Sequence, residues 1–176
     1  MNKQFIAILI VVIVGLFGIF YFTKDDAAAP NGENNQSTSS GDSTGSENII
    51  GENSKGVVLL EYGDYQCGAC AAFHPLVKQI IDKYQEDIAF QYKNYPLQEI
   101  HPNARAASRA AEAAGMQGKF WEMHDILFEQ QQSWAQSTAV NTIFEGYATQ
   151  LQLDVEKYKT DFASTAVNNI INADFQ

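Results

Sequence analysis

What this chain has little of narrows its chemistry at once. Its 176 residues include two cysteines, three histidines and four prolines. Two cysteines cannot form a scaffold of several disulfides. Positive charge is also scarce: 11 Lys and Arg against 21 Asp and Glu leave a net charge of −10. So acidic a chain is a poor partner for nucleic acid or for anionic lipid through its charge. No internal repeat is evident.

What is present falls into three stretches. Phe5 to Phe22 is unbroken apolar sequence, ~27 Å long as a helix and close to the ~30 Å hydrocarbon core of a bilayer. Residues 1–24 are therefore expected to be a single transmembrane anchor. A signal cleaved near Ala27-Ala28-Ala29 is the alternative, and would give a secreted or periplasmic domain. Lys3 and the terminal amine favour an N-in orientation. That places everything after Lys24 outside the cytoplasm, where disulfides form and persist. Residues 25–48 are rich in Ser, Gly, Asn and Thr from Asn31 onward and read as a flexible linker. Residues 49–176 are globular in composition.

Within that domain Val57-Val58-Leu59-Leu60 is a continuous apolar run, read as a strand buried on both faces of a parallel sheet. Phe73, Leu76, Val77, Ile80, Ile81 and Tyr84 recur at helical spacing, with Pro75 expected to kink that helix. Ile88, Phe90 and Tyr92 alternate as a second strand. Strand, helix and strand make a βαβ unit. Helical patterns follow over Asn103–Ala114, from Phe120 to Phe128 and over Thr138–Leu151. Asp154 and Ser164 stand where they can cap two more helices.

The two cysteines are Cys67-Gly68-Ala69-Cys70, between the first strand and the first helix. A CxxC pair at a helix N-terminus is a redox arrangement. Cys67, at the helix start, is the expected nucleophile, since free N–H groups and the helix dipole stabilise a thiolate there. Cys70, one turn further in and expected to be more buried, suits the resolving role. The rival use of the pair is zinc. A structural zinc needs four ligands, and a CxxC half-site normally meets a second close pair, which this chain lacks. No metal and no cofactor are therefore expected. His74, His101 and His124 are read as structural packing, and Phe120, Trp121 and Phe128 as core.

The sequence resembles the DsbA-like thiol–disulfide oxidoreductases of the thioredoxin superfamily, from about Gly56 to Phe128 and more weakly to the end. The residues that carry the resemblance are Leu60-Glu61-Tyr62, Asp64-Tyr65-Gln66-Cys67, Cys70 with Phe73-His74-Pro75, Tyr95-Pro96-Leu97, His101, Ala110-Ala111 and Gly118 to His124. The resemblance implies an α/β fold, with a thioredoxin-like βαβ start and a helical insertion. It also implies that Glu61 is a buried acid near the second cysteine, able to relay a proton from Cys70. Family members continue with a cis-proline loop beside the CxxC, two further strands and a last helix. This chain ends at Gln176, where that loop begins, and none of Pro30, Pro75, Pro96 and Pro102 stands at its place. The expectation is a domain lacking its C-terminal strands and helix, with the Val57–Tyr62 strand left with one bare edge.

The function implied is an extracytoplasmic oxidoreductase donating disulfides to exported proteins through Cys67 and Cys70, recharged by a membrane quinone-linked oxidase. Gly68-Ala69 does not fix the redox direction. A thiol reductase or isomerase is the alternative within enzymes, and a non-catalytic remnant or binding module the alternative outside them.

Overall fold

The computed structural model describes residues 45–176. The expected anchor at Phe5–Phe22 and the expected linker up to Thr44 lie outside the described residues. No described helix is long and apolar enough to cross a membrane.

Three strands form one sheet: β1 (Ile49–Ile50), β2 (Val57–Gly63) and β3 (Ile88–Asn94), in the order β1-β3-β2. β2 and β3 are parallel, with Val57 opposite Ile88 and Gly63 opposite Asn94. Helix α1 (Gly68–Tyr84) is the crossover between them, as a parallel pair requires. The helix runs on through Pro75. β1 pairs antiparallel with β3 and was not apparent in the sequence, because two residues carry no periodicity.

After β3 every described element is helical: α2 (Ala104–Gly115), α3 (Phe120–Glu129), α4 (Gln131–Trp134), α5 (Val140–Gln150), α6 (Val155–Ala163) and α7 (Thr165–Asp174). The expected caps form. The Asp154 side chain accepts from the Lys157 N–H at 3.0 Å, and Ser164 Oγ from the Val167 N–H at 3.1 Å. Each satisfies one orphan donor of a first helical turn. At the turn into α3, Gly118 adopts a φ of 74° that a side chain would strain.

The core lies between β3 and the helical block. Phe90 and Tyr92 of β3 meet Phe120, Met123, Leu127 and Phe128 of α3, all buried. Each such side chain contributes about 1.5–3 kcal/mol by leaving water. Helix α2 is central to this packing. Ala104, Ala107, Ala110, Ala111, Ala113 and Ala114 are all fully buried, and their small size lets neighbouring helices approach closely. That explains an alanine run whose mean hydropathy is modest.

A polar clamp fastens the start of the domain to its last helix. Asp174, on α7, accepts from the Ser46 N–H and Oγ, both at 2.7 Å, and from the Asn94 N–H at 3.0 Å. Lys93 Nζ lies 3.1 Å from the same carboxylate. Glu112 accepts from Asn48 at 2.9 Å and from Asn94 at 2.7 Å. Burial nevertheless pushes the Glu112 carboxyl up to about 7.

Two expectations about apolar sequence need correction. Val57–Leu60 is not buried on both faces: Val57 is 51% exposed, and Val58, Leu59 and Leu60 are exposed with it. β2 is an outer strand, paired with β3 alone, so among the described residues nothing covers its other side. The expected stripe on α1 also divides. Val77 and Ile81 turn toward the core, beside the buried His74, whereas Phe73, Leu76 and Tyr84 remain exposed, Phe73 by 63%. Apolar runs record a tendency to leave water. Whether they leave it depends on a neighbouring layer, and here the helical block gathers around β3 rather than β2.

Candidate active site

The loop between β2 and α1 delivers Cys67 as the N-cap residue of α1, with φ −71° and ψ 120°. Gly63 ends the strand beneath it. A Cβ there would lie 2.4 Å from the Tyr92 ring, so glycine is what lets that ring pack under the loop. Asp64 follows, almost fully buried, and its carboxylate is the loop's organiser. It accepts from the Gln66 N–H at 2.7 Å, the Leu97 N–H at 2.9 Å and the His101 Nδ1–H at 2.7 Å. Asp64 also accepts through its backbone carbonyl from the Cys67 N–H at 3.1 Å.

Two glutamines complete the support. Gln66 donates to the Ala135 carbonyl and accepts from the Asn103 N–H, both at 2.7 Å. Gln131 donates to the carbonyls of Tyr65 at 2.7 Å and Cys67 at 3.0 Å. The Cys67 carbonyl also receives the Ala71 N–H at 3.1 Å, the first bond of the helix. The loop is thus tied to α1, to α4 and to the segment before α2.

Cys67 and Cys70 are free thiols, both half-buried. Their positions differ: Cys67 caps the helix and Cys70 lies within its first turn. Burial pushes the Cys70 thiol up to about 11, a hydrogen bond with the Asp64 backbone opposing the rise and the Cys67 sulfur and Glu61 carboxylate adding to it. Glu61, half-buried on β2 opposite Tyr92, is itself raised by burial, with His74 opposing. Cys67 and Glu61 each lie within electrostatic reach of Cys70.

Behind the loop sits an aromatic floor. Tyr65 is fully buried and its hydroxyl meets His124 Nδ1 at 3.0 Å. Burial raises the Tyr65 and Tyr92 phenols well above their ordinary value, so both stay neutral. Phe128 packs 4.9 Å from Tyr65. Phe120 and Phe128 are core, with Trp121 partly buried against them. Sequence reasoning gave Asp64 and Gln66 no role beyond the resemblance and missed Gln131 altogether. A buried polar side chain distant in sequence leaves no local pattern.

A family profile described as Thioredoxin matches residues 43–176. The chain belongs to that family. Among solved structures, this thioredoxin-family chain is similar to a thioredoxin-like oxidoreductase of Silicibacter pomeroyi, at 25% identity and a TM-score of 0.59, covering 72% of this chain and 69% of that one. It is similar in fold to the thiol-disulfide exchange protein alpha-DsbA2 of Wolbachia pipientis, at 17% identity and a TM-score of 0.61, covering 72% and 66%. Its fold is thus that of the DsbA-like thiol–disulfide oxidoreductases. It is also 34% identical over 117 residues to the Na(+)/H(+) antiporter NhaA 1 of Salinispora arenicola, a match covering 66% of this chain and 17% of the antiporter. The chain spans under a fifth of the length of the curated relatives it matches, so the transport activity in that name belongs to a far longer protein.

Proposed function

We propose that the protein is an extracytoplasmic, membrane-anchored thiol–disulfide oxidoreductase that donates disulfides to exported proteins through Cys67 and Cys70. The observation that carries this reading is the unequal pair: Cys67 caps the helix, and Cys70 sits one turn inside it with its thiol pushed up to about 11. In the oxidised enzyme a substrate thiolate attacks the Cys67 sulfur. The Cys67–Cys70 bond breaks, and the electron pair leaves on Cys70, which takes up a proton. A second substrate thiolate then attacks the substrate sulfur of the mixed disulfide and expels Cys67. Two electrons pass from the substrate dithiol to the enzyme pair.

In this reading Glu61, within electrostatic reach of Cys70, exchanges that proton with it. Burial raises its carboxyl above the ordinary value, with His74 opposing. A membrane oxidase linked to quinone would return the pair to its disulfide.

Equilibration of the protein in glutathione buffers, followed by thiol alkylation, tests the reading. A cooperative, oxidising midpoint supports a disulfide donor; a midpoint near the thioredoxin end, about 150 mV lower than the strongest oxidants, would assign a reductase instead. Cys67→Ser should abolish exchange. In Cys70→Ser the Cys67 thiolate can still attack a disulfide, but Cys70 is no longer there to displace the bound partner, so mixed disulfides should accumulate.

A further inference from the structure

Helix α1 carries a second group of reactive side chains on its inner face, apart from the cysteines. His74 lies on α1, and His124 and Asp125 lie on α3. His74 is 7% and His124 3% exposed. One nitrogen of each histidine and a carboxylate oxygen of Asp125 all lie within 4.8 Å of one another. The three residues line a cavity of about 150 Å³, with Val77, Ile81 and Trp121 among its walls.

Their hydrogen bonding is incomplete. His74 Nε2 is buried and has no hydrogen-bond partner. Asp125 Oδ1 lies 3.3 Å from it. The His74 ring is fixed by stacking on Phe128, centroids 4.9 Å apart, and by the edge of His124. A buried imidazole nitrogen without a hydrogen-bond partner is unfavourable, and this one lies beside the Asp125 carboxylate and the His124 ring.

We propose that His74, His124 and Asp125 form a three-ligand site for a divalent transition metal of the zinc class, bridging α1 and α3. Two imidazoles and one carboxylate are a donor set for such an ion, bound at about 2.0–2.2 Å with a fourth position left open. Tetrahedral ligands at that distance stand about 3.4 Å apart, close to the 3.3 Å between His74 Nε2 and Asp125 Oδ1. The Tyr65 hydroxyl occupies His124 Nδ1, leaving Nε2 for the metal and fixing the tautomer, as outer-shell partners of ligand histidines do. This donor set is independent of the two cysteines.

One group competes. The Lys78 ammonium pairs with Asp125 Oδ2. Lys78 is half-exposed, so it can swing into solvent and yield the carboxylate.

The test uses the full-length chain carrying Cys67→Ser and Cys70→Ser, so that no thiolate can bind metal. Titration with Co²⁺ and Zn²⁺, read by absorption and calorimetry, should show one ion per chain and visible d–d bands without a sulfur charge-transfer band. Adding Asp125→Asn or His74→Gln should weaken binding at least about tenfold. Lys78→Ala should tighten it, by removing the competing cation. Absence of saturable binding, affinity indifferent to Asp125→Asn, or weakening by Lys78→Ala would each overturn the site. Asp125 and Lys78 are partly exposed, so those two variants stay informative even where His74→Gln does not fold.

Discussion

The side-chain amide of Gln131 donates to the backbone carbonyl of Cys67 across 3.0 Å. The same amide reaches the Tyr65 carbonyl at 2.7 Å. One side chain from the helical block therefore holds two carbonyls of the loop that presents Cys67. Gln131→Ala removes the donor from the buried Tyr65 carbonyl and leaves the Cys67 carbonyl only its Ala71 N–H. The expected loss is about 1–3 kcal/mol of stability, measured by denaturant unfolding, with slower mixed-disulfide formation by Cys67. Unchanged stability and rate would show that the loop holds its shape without α4.

Asp64 offers a harsher version of the same experiment. Its carboxylate takes three donors, from Gln66, Leu97 and His101. Asn has one acceptor oxygen and adds two donors with no acceptor to meet. Asp64→Asn should cost about 1.5–3 kcal/mol, read as a lowered Tm of the reduced protein.

Cys70 should resist alkylation at neutral pH. With its thiol at about 11, the thiolate fraction near pH 8 is on the order of 0.1%. In the reduced protein, iodoacetamide should label Cys67 first, and Cys70 only as the pH approaches 11. Burial is the leading cause of the rise, so most of it should survive in Cys67→Ser.

Glu112 predicts an unusual pH profile of stability. Its carboxyl sits at about 7 in the folded chain against an ordinary value of 4.5. Between those values the unfolded chain has released the proton and the folded chain still holds it. The contribution is therefore fully present below about pH 4.5 and is lost as pH rises through about 7. The displacement corresponds to roughly 3 kcal/mol. Urea unfolding across pH 4.5–8 should show this decline, and Glu112→Gln should flatten it. A decline that persists in the variant would assign it to another group.

The alanine face of α2 gives a packing prediction. Ala111 is fully buried within the core, so Ala111→Leu inserts atoms where no space exists. It should destabilise the domain by about 1–3 kcal/mol through strain, detected as a fall in the denaturation midpoint.

The parts of this domain legible in the sequence were those with local signatures. The CxxC pair, the period of β3, the helical stretches and the Asp154 and Ser164 caps each depend on residues a few positions apart. The elements that escaped depend on distant partners. Nothing near Gln131 announces that its amide will meet Cys67, and nothing near Ser46 announces Asp174. The exposure of Val57–Leu60 escaped for the opposite reason. Its local pattern is strong, but burial is supplied by neighbouring layers and not by the strand itself. Glu61 was placed by resemblance alone.

The Gln131 contact also sets an order of events during synthesis. Cys67 leaves the ribosome well before the residue that braces it. Until α4 exists, the cysteine loop has only Asp64 and its near neighbours to shape it, and Leu97, His101 and Asn103 arrive in turn. The nascent pair should therefore behave as two ordinary thiols, open to oxidation by whatever it meets. Its distinctive reactivity switches on late, as the helical block closes behind it, so catalytic competence reports completion of the fold.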